Sequence, residues 1–374
     1  MKKIKILMLH LGYGGVEKQT VTMANYLADN YKIEIISFYK LSDKPAYNVN
    51  PKIDIKYLYN GKPNKEEFKE GLKSKRIIKV LREGTKSVKI LFLKKHLIIK
   101  EIKKNDSDIY FSTRCEYGKL LSKYGSKKAI KLTQEHNYIE TSKYKKEITK
   151  GYKNLNYIIV ISKYHEYLYN EWFKNSDVVI KRIENILDST AKNWSKLNNN
   201  AIISVGRFNY IKDFISLIDV FCLAKKANKG LKLYLLGDGE EKDRIIQRIK
   251  NLKLEDSVIM PGFVNSNEVE QYMLKSDIYI MTSLSECFPM VLLEAYNCGL
   301  PVISFDILTG PREIVKNEKT GYLIANRNKE EMAKKINNLI NDKIKLHEFG
   351  TNAKKEAEKY RATSIIKKWQ NIFK

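Results

Sequence analysis

Apolar runs recur along the chain in short bursts separated by amphipathic stretches, the alternation of strand and helix. Ile4–Leu9 is apolar except for Lys5, close to what a strand buried on both faces of a parallel sheet shows. Gly12, Gly14 and Gly15 then make a turn, and Val16–Ala28 has helical spacing. Ile33–Phe38, Ile109–Ser112, Ala129–Thr133 and Tyr157–Ile161 read as further strands, and Asn64–Lys104 as helix with Lys-rich faces. The polar, turn-rich stretch Ser189–Asn200 interrupts this rhythm as a linker. The pattern then restarts. Strands are expected at Ala201–Val205, Leu231–Leu236, Val258–Met260, Ile278–Met281 and Pro301–Ser304. Helices are expected between them at Lys212–Ala227, Gly239–Leu252, Glu268–Lys275 and Pro289–Cys298. Two such series predict an α/β protein of two doubly wound, Rossmann-like domains facing a cleft. Glu356–Phe373 closes the chain as a helix with Ile365, Ile366, Trp369 and Phe373 at helical spacing. Periodicity leaves open whether it packs on its own domain or crosses to the first.

Length agrees with this division, since 374 residues exceed a typical single core. A hydrophobic content of 43% supports a sizeable interior. The four cysteines (Cys115, Cys222, Cys287, Cys298) lack CxxC or His–Cys spacing, which argues against a disulfide framework or zinc site and for a reduced, cytoplasmic protein. No segment approaches the roughly 18–20 apolar residues of a membrane span. The start, MKKIKILMLHLGYGG, lacks a small-residue cleavage site and reads as a buried strand with a glycine loop. Net charge changes the picture more. At +26 the chain attracts polyanions, whether nucleic acid, anionic lipid or a phosphorylated substrate, although a Lys-, Asn- and Ile-rich composition also follows from codon bias. The excess is uneven: Lys62–Lys104 holds 15 Lys and Arg against 5 Asp and Glu.

Candidate chemistry gathers at the carboxyl ends of expected strands. In HLGYGGVEK, His10–Lys18, glycines let the backbone approach a ligand and a helix start offers N–H groups to an anion, though an ordinary strand–turn–helix connection has the same look. The spacing is not GxGxxG, and no acid ends the second strand. In SVGRFNYIKDF, Ser204–Phe214, Arg207 and Lys212 flank a turn and are suited to a diphosphate, or are simply solvated. LYLLGDGEEKDRI, Leu233–Ile245, puts Gly237, Asp238 and Gly239 at a strand end, either as a plain turn or beside a ligand. The most telling stretch is SLSECFPMVLLEAYNCGLPVIS. Glu286 follows an apolar strand, Pro289 starts a helix, and Glu294 lies a turn or two inside it. A carboxylate at such a mouth accepts sugar hydroxyls, the N–H groups of Met290 and Val291 hold a phosphate, and a deeper carboxylate accepts a ribose. GPREIV, Gly310–Val315, offers a further helix start.

VEKQ after GYGG, VGRFNYIKDF, LGDGEEKDRI, SECFPMVLLEAYNCGLPVI and GPREIV, in this order, resemble the retaining glycosyltransferases of family 4, which have the GT-B fold. The resemblance is strong over Ser204–Ile324, weaker at the amino end and in TQEHNY, Thr133–Tyr138, and absent in the Lys-rich helices. It implies an acceptor-side domain over 1–190, a nucleotide-sugar domain over 198–357, and a final helix, 358–374, that crosses back to the first. It implies that Glu286 meets donor sugar hydroxyls, that Glu294 binds the ribose, and that Arg207 and Lys212 hold the diphosphate with the N–H groups of Met290 and Val291. Gly14 and Gly15 then approach the phosphates or the sugar. Gly237, Phe263 and Val264 border the nucleotide, and Phe288 and Pro289 complete the loop. His136 matches a histidine placed near the transferred sugar, although a lone histidine also serves as packing. Cys287 departs from the glycine of many relatives, and cysteine tolerates positive φ poorly, so the loop is expected to differ there.

These implications add up to a retaining, metal-independent hexosyltransferase of surface-polysaccharide synthesis. It would use a nucleotide sugar, a UDP-sugar by family weight, and no cofactor. No DxD-type motif stands at a strand end. The acceptor would be a glycan or polyprenol-linked sugar, and the enzyme would sit peripherally on the inner face of the cell membrane, with the Lys62–Lys104 segment toward anionic lipid. The competing expectation is a non-catalytic basic protein that binds anionic lipid or nucleic acid. No helix-turn-helix, RNP or zinc-finger pattern supports nucleic acid.

Overall fold

The computed structural model describes residues 1–64, 67, 70, 72, 74, 76–136, 139–188, 191 and 193–374. They divide into two compact units, Met1–Ile186 with Ile366–Lys374, and Leu187–Ile365. The expected linker overlaps the division, although residues 189, 190 and 192 lie outside the described set.

The first unit is built on a seven-stranded parallel sheet ordered β3-β2-β1-β4-β5-β6-β7. Its strands are β1 (Lys3–Met8), β2 (Lys32–Tyr39), β3 (Asp54–Tyr59), β4 (Ile109–Ser112), β5 (Ile130–Gln134), β6 (Tyr157–Val160) and β7 (Val179–Arg182). The helices are α1 (Gly15–Leu27), α2 (Ile77–Lys103), α3 (Cys115–Tyr124), α4 (Ser142–Gly151) and α5 (Lys163–Phe173). Helices on both faces explain why β1, β4 and β6 are apolar almost throughout. Lys5, the exception in β1, is fully buried. Its Nζ donates to Asp106 Oδ1 at 2.5 Å, with Glu34 at 3.4 Å and Glu101 at 3.8 Å. Burial disfavours the Asp106 carboxylate, but the bond and charge of Lys5, aided by Lys3, hold its pKa well below the usual value.

The second unit has a six-stranded parallel sheet ordered β10-β9-β8-β11-β12-β13. Its strands are β8 (Ala201–Val205), β9 (Lys232–Leu236), β10 (Val258–Gly262), β11 (Ile278–Met281), β12 (Val302–Phe305) and β13 (Gly321–Ile324). Around it lie α6 (Phe214–Ala227), α7 (Lys242–Asn251), α8 (Ser266–Leu274), α9 (Met290–Asn297), α10 (Pro311–Ile314), α11 (Lys329–Asn341) and α12 (Lys343–Ala357). In both sheets the order reverses beside the first strand, between β1 and β4 and between β8 and β11. Open α/β sheets bind ligands at such a switch point, beyond the carboxyl ends of the strands.

The structure amends the expected elements in three places. The expected helix over Lys212–Ala227 is a 3₁₀ turn, Tyr210–Lys212, followed by α6, with Asp213 left-handed between them (φ 47°). The expected helix over Glu356–Phe373 is broken: α12 ends at Ala357, a 3₁₀ turn takes Glu358–Tyr360, and α13 (Ala362–Phe373) begins anew. Arg361 sits at the break, extended, its guanidinium donating to Asn297 Oδ1 at 2.8 Å and to Glu358. Its neighbour Tyr360 accepts from Leu187 N at 2.8 Å. From Ile366 onward α13 belongs to the first unit, where Trp369 packs on Phe111 with ring centroids 5.3 Å apart. Finally, α2 accounts for Ile77–Lys103 of the expected helical stretch, whose residues 65, 66, 68, 69, 71, 73 and 75 lie outside the described set.

Candidate functional site

The loop after β8 and the loop after β11 meet at the switch point of the second unit. Thr282 Oγ1 donates to Asp213 O at 2.9 Å, and Leu284 N donates to Ile211 O at 2.8 Å, so the two loops are stitched along their backbones. This seam sets Lys212 against Glu286, 74 residues away in sequence. Lys212 Nζ donates to Glu286 Oε1 at 2.6 Å, and Ser283 Oγ donates to the same oxygen at 2.7 Å. The Glu286 side chain is only 12% exposed and that of Lys212 24%. One carboxylate oxygen is therefore engaged, and the pair leaves the other carboxylate oxygen and two ammonium hydrogens for a ligand. Thr309 Oγ1 donates to Glu286 O and ties in the loop before α10. Gly310, at φ 82°, is needed there: a Cβ would stand 2.5 Å from the Glu286 Cβ.

Glu286 leads into Pro289, the N-cap of α9, which offers no side-chain cap. Met290 and Val291 are half-buried at this start, and their N–H groups belong to the helix end that has no intrahelical acceptor. A turn later Glu294 is half-buried on the same helix, and Phe288 is buried against Tyr360, centroids 5.7 Å apart. Cys287 is absent from the positive-φ residues, so the loop accommodates it without left-handed backbone.

Beside this seam a cavity of about 380 Å³ is lined by Val205, Gly206, Arg207, Leu236, Gly237, Asp238, Phe263, Val264 and Val269. Its walls are mostly apolar, which suits a flat aromatic group. Gly237, at φ 142°, is forced by close packing: a Cβ there would lie 1.9 Å from Gly206 O. Arg207 stands at the rim, 72% exposed, and donates to Glu240 Oε2 at 3.2 Å. The two cations expected to act together are thus held differently, Lys212 inside on Glu286 and Arg207 outside on Glu240.

The candidate glycines of the first unit stand at its own switch point. Gly14 is extended (φ 170°) and bonded both ways to the Tyr47 hydroxyl, its N donating at 3.1 Å and its O accepting at 3.2 Å. Gly15 opens α1, with open space where a Cβ would be. Glu17 is buried beneath the loop and accepts from Arg114 Nη2 at 3.2 Å, with His10 Nδ1 at 3.7 Å. His136 follows β5; burial first, then the charge of Arg114, lowers its pKa to about 4. Its ring is half-buried, yet Nε2 is sealed from water without a hydrogen-bond partner among the described residues, as is Arg114 Nε. Asn137 and Tyr138 of TQEHNY lie outside the described set.

Sequence reading missed several residues that build this geometry. Arg327 donates to Ser283 O at 3.1 Å, to Thr282 O at 2.9 Å and to Asp213 Oδ2, and lies 4.4 Å over the Phe305 ring. It clamps the seam from a segment with no motif. Tyr279, fully inside, both donates to Val205 O and accepts from Val205 N at 3.1 Å, fixing the end of β8. Arg114 stands in no patterned loop, and Glu17, although inside HLGYGGVEK, is given no role by the motif. Glu135, beside His136, is buried and accepts from Tyr144 at 2.9 Å and from Tyr152; burial raises its pKa against the pull of those bonds.

Residues 186–356 match the family described as glycosyl transferases group 1. The chain is 28% identical over 381 residues to the amylovoran biosynthesis glycosyltransferase AmsD of Erwinia amylovora, covering 100% of this chain and 99% of that protein. It is 24% identical over 369 residues to the exopolysaccharide phosphotransferase SCO2592 of Streptomyces coelicolor, 96% of this chain but only 39% of that protein. A crystal structure of a mutant S. aureus TarM in complex with Fondaparinux, alpha-GlcNAc-glycerol and UDP is similar at a TM-score of 0.76, with 19% identity and 100% of both chains covered.

Proposed function

We propose, for a chain of the GT-B fold whose residues 186–356 belong to the glycosyl transferases group 1, that it moves a hexose or N-acetylhexosamine from a nucleotide diphosphate sugar to an acceptor in surface-polysaccharide synthesis. The observation that carries this reading is the Lys212–Glu286 pair, set between an apolar cavity and an uncapped helix start. In the proposed complex the cavity takes the base, flanked by Phe263 and Val264, and Glu294 accepts the ribose hydroxyls. The diphosphate lies against Met290 N, Val291 N and Lys212, and Arg207 swings from Glu240 to join them. Glu286 accepts hydroxyls of the donor sugar. UDP is the proposed nucleotide, a reading supported by its presence in the TarM complex.

The chemistry we propose is retaining and needs no metal or other cofactor. The bond from the anomeric carbon to the phosphate oxygen breaks, and a bond to an acceptor hydroxyl forms on the same face. The hydroxyl proton passes to the departing phosphate oxygen. The protein orients the reactants and stabilises charge on the leaving group, with donors fixed before the reaction. His136 and the Gly14–Gly15 loop are the residues we propose for the first unit's part. The acceptor is a glycan or a lipid-linked sugar.

Titration with UDP, UDP-glucose and UDP-N-acetylglucosamine tests the reading. A ligand at about 100-fold its dissociation constant stabilises the protein by about 2.7 kcal/mol, and Glu294→Gln should weaken binding at least tenfold. Absence of a shift with every nucleotide sugar, GDP- and dTDP-sugars included, defeats it. NMR of the product reports the anomeric configuration and separates glycosyl from phosphoglycosyl transfer. An EDTA-treated sample that stays inactive until a divalent ion is restored defeats metal independence.

A further inference from the structure

Helix α2 buries part of its apolar surface and leaves part of it in solvent. The inward face buries Ile90, Ile98 and Ile102. Between Ile77 and Phe92, however, Ile77, Leu81, Val88, Leu91 and Phe92 are all exposed, Ile77 at 74%, Leu81 at 64% and Phe92 at 72%. At 100° per residue these five fall within a stripe about 100° wide. Lys95 interrupts the stripe, and a lysine stem can lie along apolar surface with its ammonium outward. Arg82, Lys86, Lys89 and Lys100 line the adjoining flank, exposed to solvent.

The acids of the helix sharpen this asymmetry. Its sequence contains two, Glu83 and Glu101, and both are buried. Glu83 accepts from Asn64 Nδ2 at 3.1 Å, and Glu101 is paired with Lys56 at 2.7 Å and Lys104 at 2.9 Å. The outward surface of α2 therefore presents apolar side chains and cations with no carboxylate among them. Among the described residues no helix is long and apolar enough to cross a membrane. A strong apolar stripe, a basic polar face and low net hydrophobicity are the features of a helix that lies in the plane of a membrane interface.

We propose that the outward face of α2 is a membrane-insertion surface for an anionic bilayer, with Leu81, Val88, Leu91 and Phe92 among the acyl chains and the Arg82–Lys100 flank on the headgroups. The charge on the flank selects this occupant. Glu83 meets Arg82 at 3.1 Å and Lys86 at 3.9 Å, one carboxylate against two cations, so a second copy of the chain would bring two net-positive flanks together, whereas an anionic surface neutralises them. The proposal does not depend on the donor chemistry of the second unit. It adds to that reading a way of holding the enzyme where a lipid-linked acceptor resides.

The test is flotation of the full chain with vesicles of phosphatidylglycerol and phosphatidylcholine, against phosphatidylcholine alone. The wild type should float with the anionic vesicles, and a fraction should remain bound in high salt, where charge attraction alone is screened. Leu81→Ser/Phe92→Ser should weaken binding by about tenfold or more, with an unchanged circular dichroism spectrum. Lys86→Glu/Lys89→Glu/Lys100→Glu should abolish the preference for anionic lipid. Phe92→Trp, which keeps the apolar stripe, should show blue-shifted emission on anionic vesicles. No flotation, flotation undiminished in the Leu81→Ser/Phe92→Ser variant, or unshifted emission from bound Phe92→Trp overturns the proposal. So does concentration-dependent self-association that this double variant removes, with no vesicle binding. Nucleotide binding measured on the same preparations keeps the two readings apart, since neither outcome on vesicles bears on the second unit.

Discussion

Lys212 and Glu286 each sit in a legible motif, but their contact was not legible, because the seam that joins them depends on Thr282, Asp213 and Arg327, residues that carry no pattern of their own. The contact makes the site testable one side chain at a time. Lys212→Met should lower kcat by about 10²–10³-fold if the ammonium meets charge that develops only in the transition state. Lys212→Met/Glu286→Gln should cost less than the product of the single effects, because each single change leaves the other group without its partner. Steady-state kinetics of the four proteins decide this. Arg207→Ala, at an exposed rim residue, should act mainly on KM. The histidines give a pH prediction. Burial lowers both His136 and His165 to about 4, with the Arg114 charge adding to the first and the Glu140 charge opposing in the second. The unfolded chain holds more protons on these residues than the folded one between about pH 6.5 and the folded value. The first unit should therefore lose stability as pH falls through that window and be insensitive to these groups above about pH 7. Glu135, held above its usual range, contributes the opposite slope above the usual glutamate value. Urea midpoints at pH 7 and pH 5 should differ less in His165→Asn than in the wild type.

Among the elements, those buried on both faces were readable, and of the edge strands β10 was read while β3, β7 and β13 were not. β1, β4, β8 and β11 are central and apolar, so composition alone marks them. β3 and β7 are edge strands of their sheet, one half-exposed along most of its length and the other carrying Lys181 and Arg182. β13, also an edge, is a four-residue strand that opens on a glycine. Edges keep one side in water, so polar residues enter and the apolar signal fades. The last helix was seen but its break was not, since the cause lies in contacts of Tyr360 and Arg361 with distant residues. The segment beyond the break does large work for its size. Trp369→Ala removes a buried aromatic packed on Phe111 and Phe373, and should destabilise the first unit by about 3–5 kcal/mol. Thermal denaturation followed by a probe in that unit reads the loss, and a midpoint unchanged within a degree contradicts it.

At the scale of the molecule, each unit has its own sheet, its own core and its own switch-point loops. Calorimetry should resolve two transitions, and UDP should raise chiefly the one that Gly237→Ala lowers, since that substitution strikes the backbone of the second unit. The two-domain α/β organisation was legible as a repeated strand–helix rhythm. The return of the last residues to the first unit was not in that rhythm, which left the final helix unassigned; it was expected only from the family resemblance.

That return carries a consequence for biogenesis. Residues Ile366–Lys374 leave the ribosome after every other part of both units, yet they supply the aromatic surface that covers Phe111 and Tyr31. Until that segment has been made, the first sheet therefore waits with an oily patch uncovered at Phe111 and Tyr31.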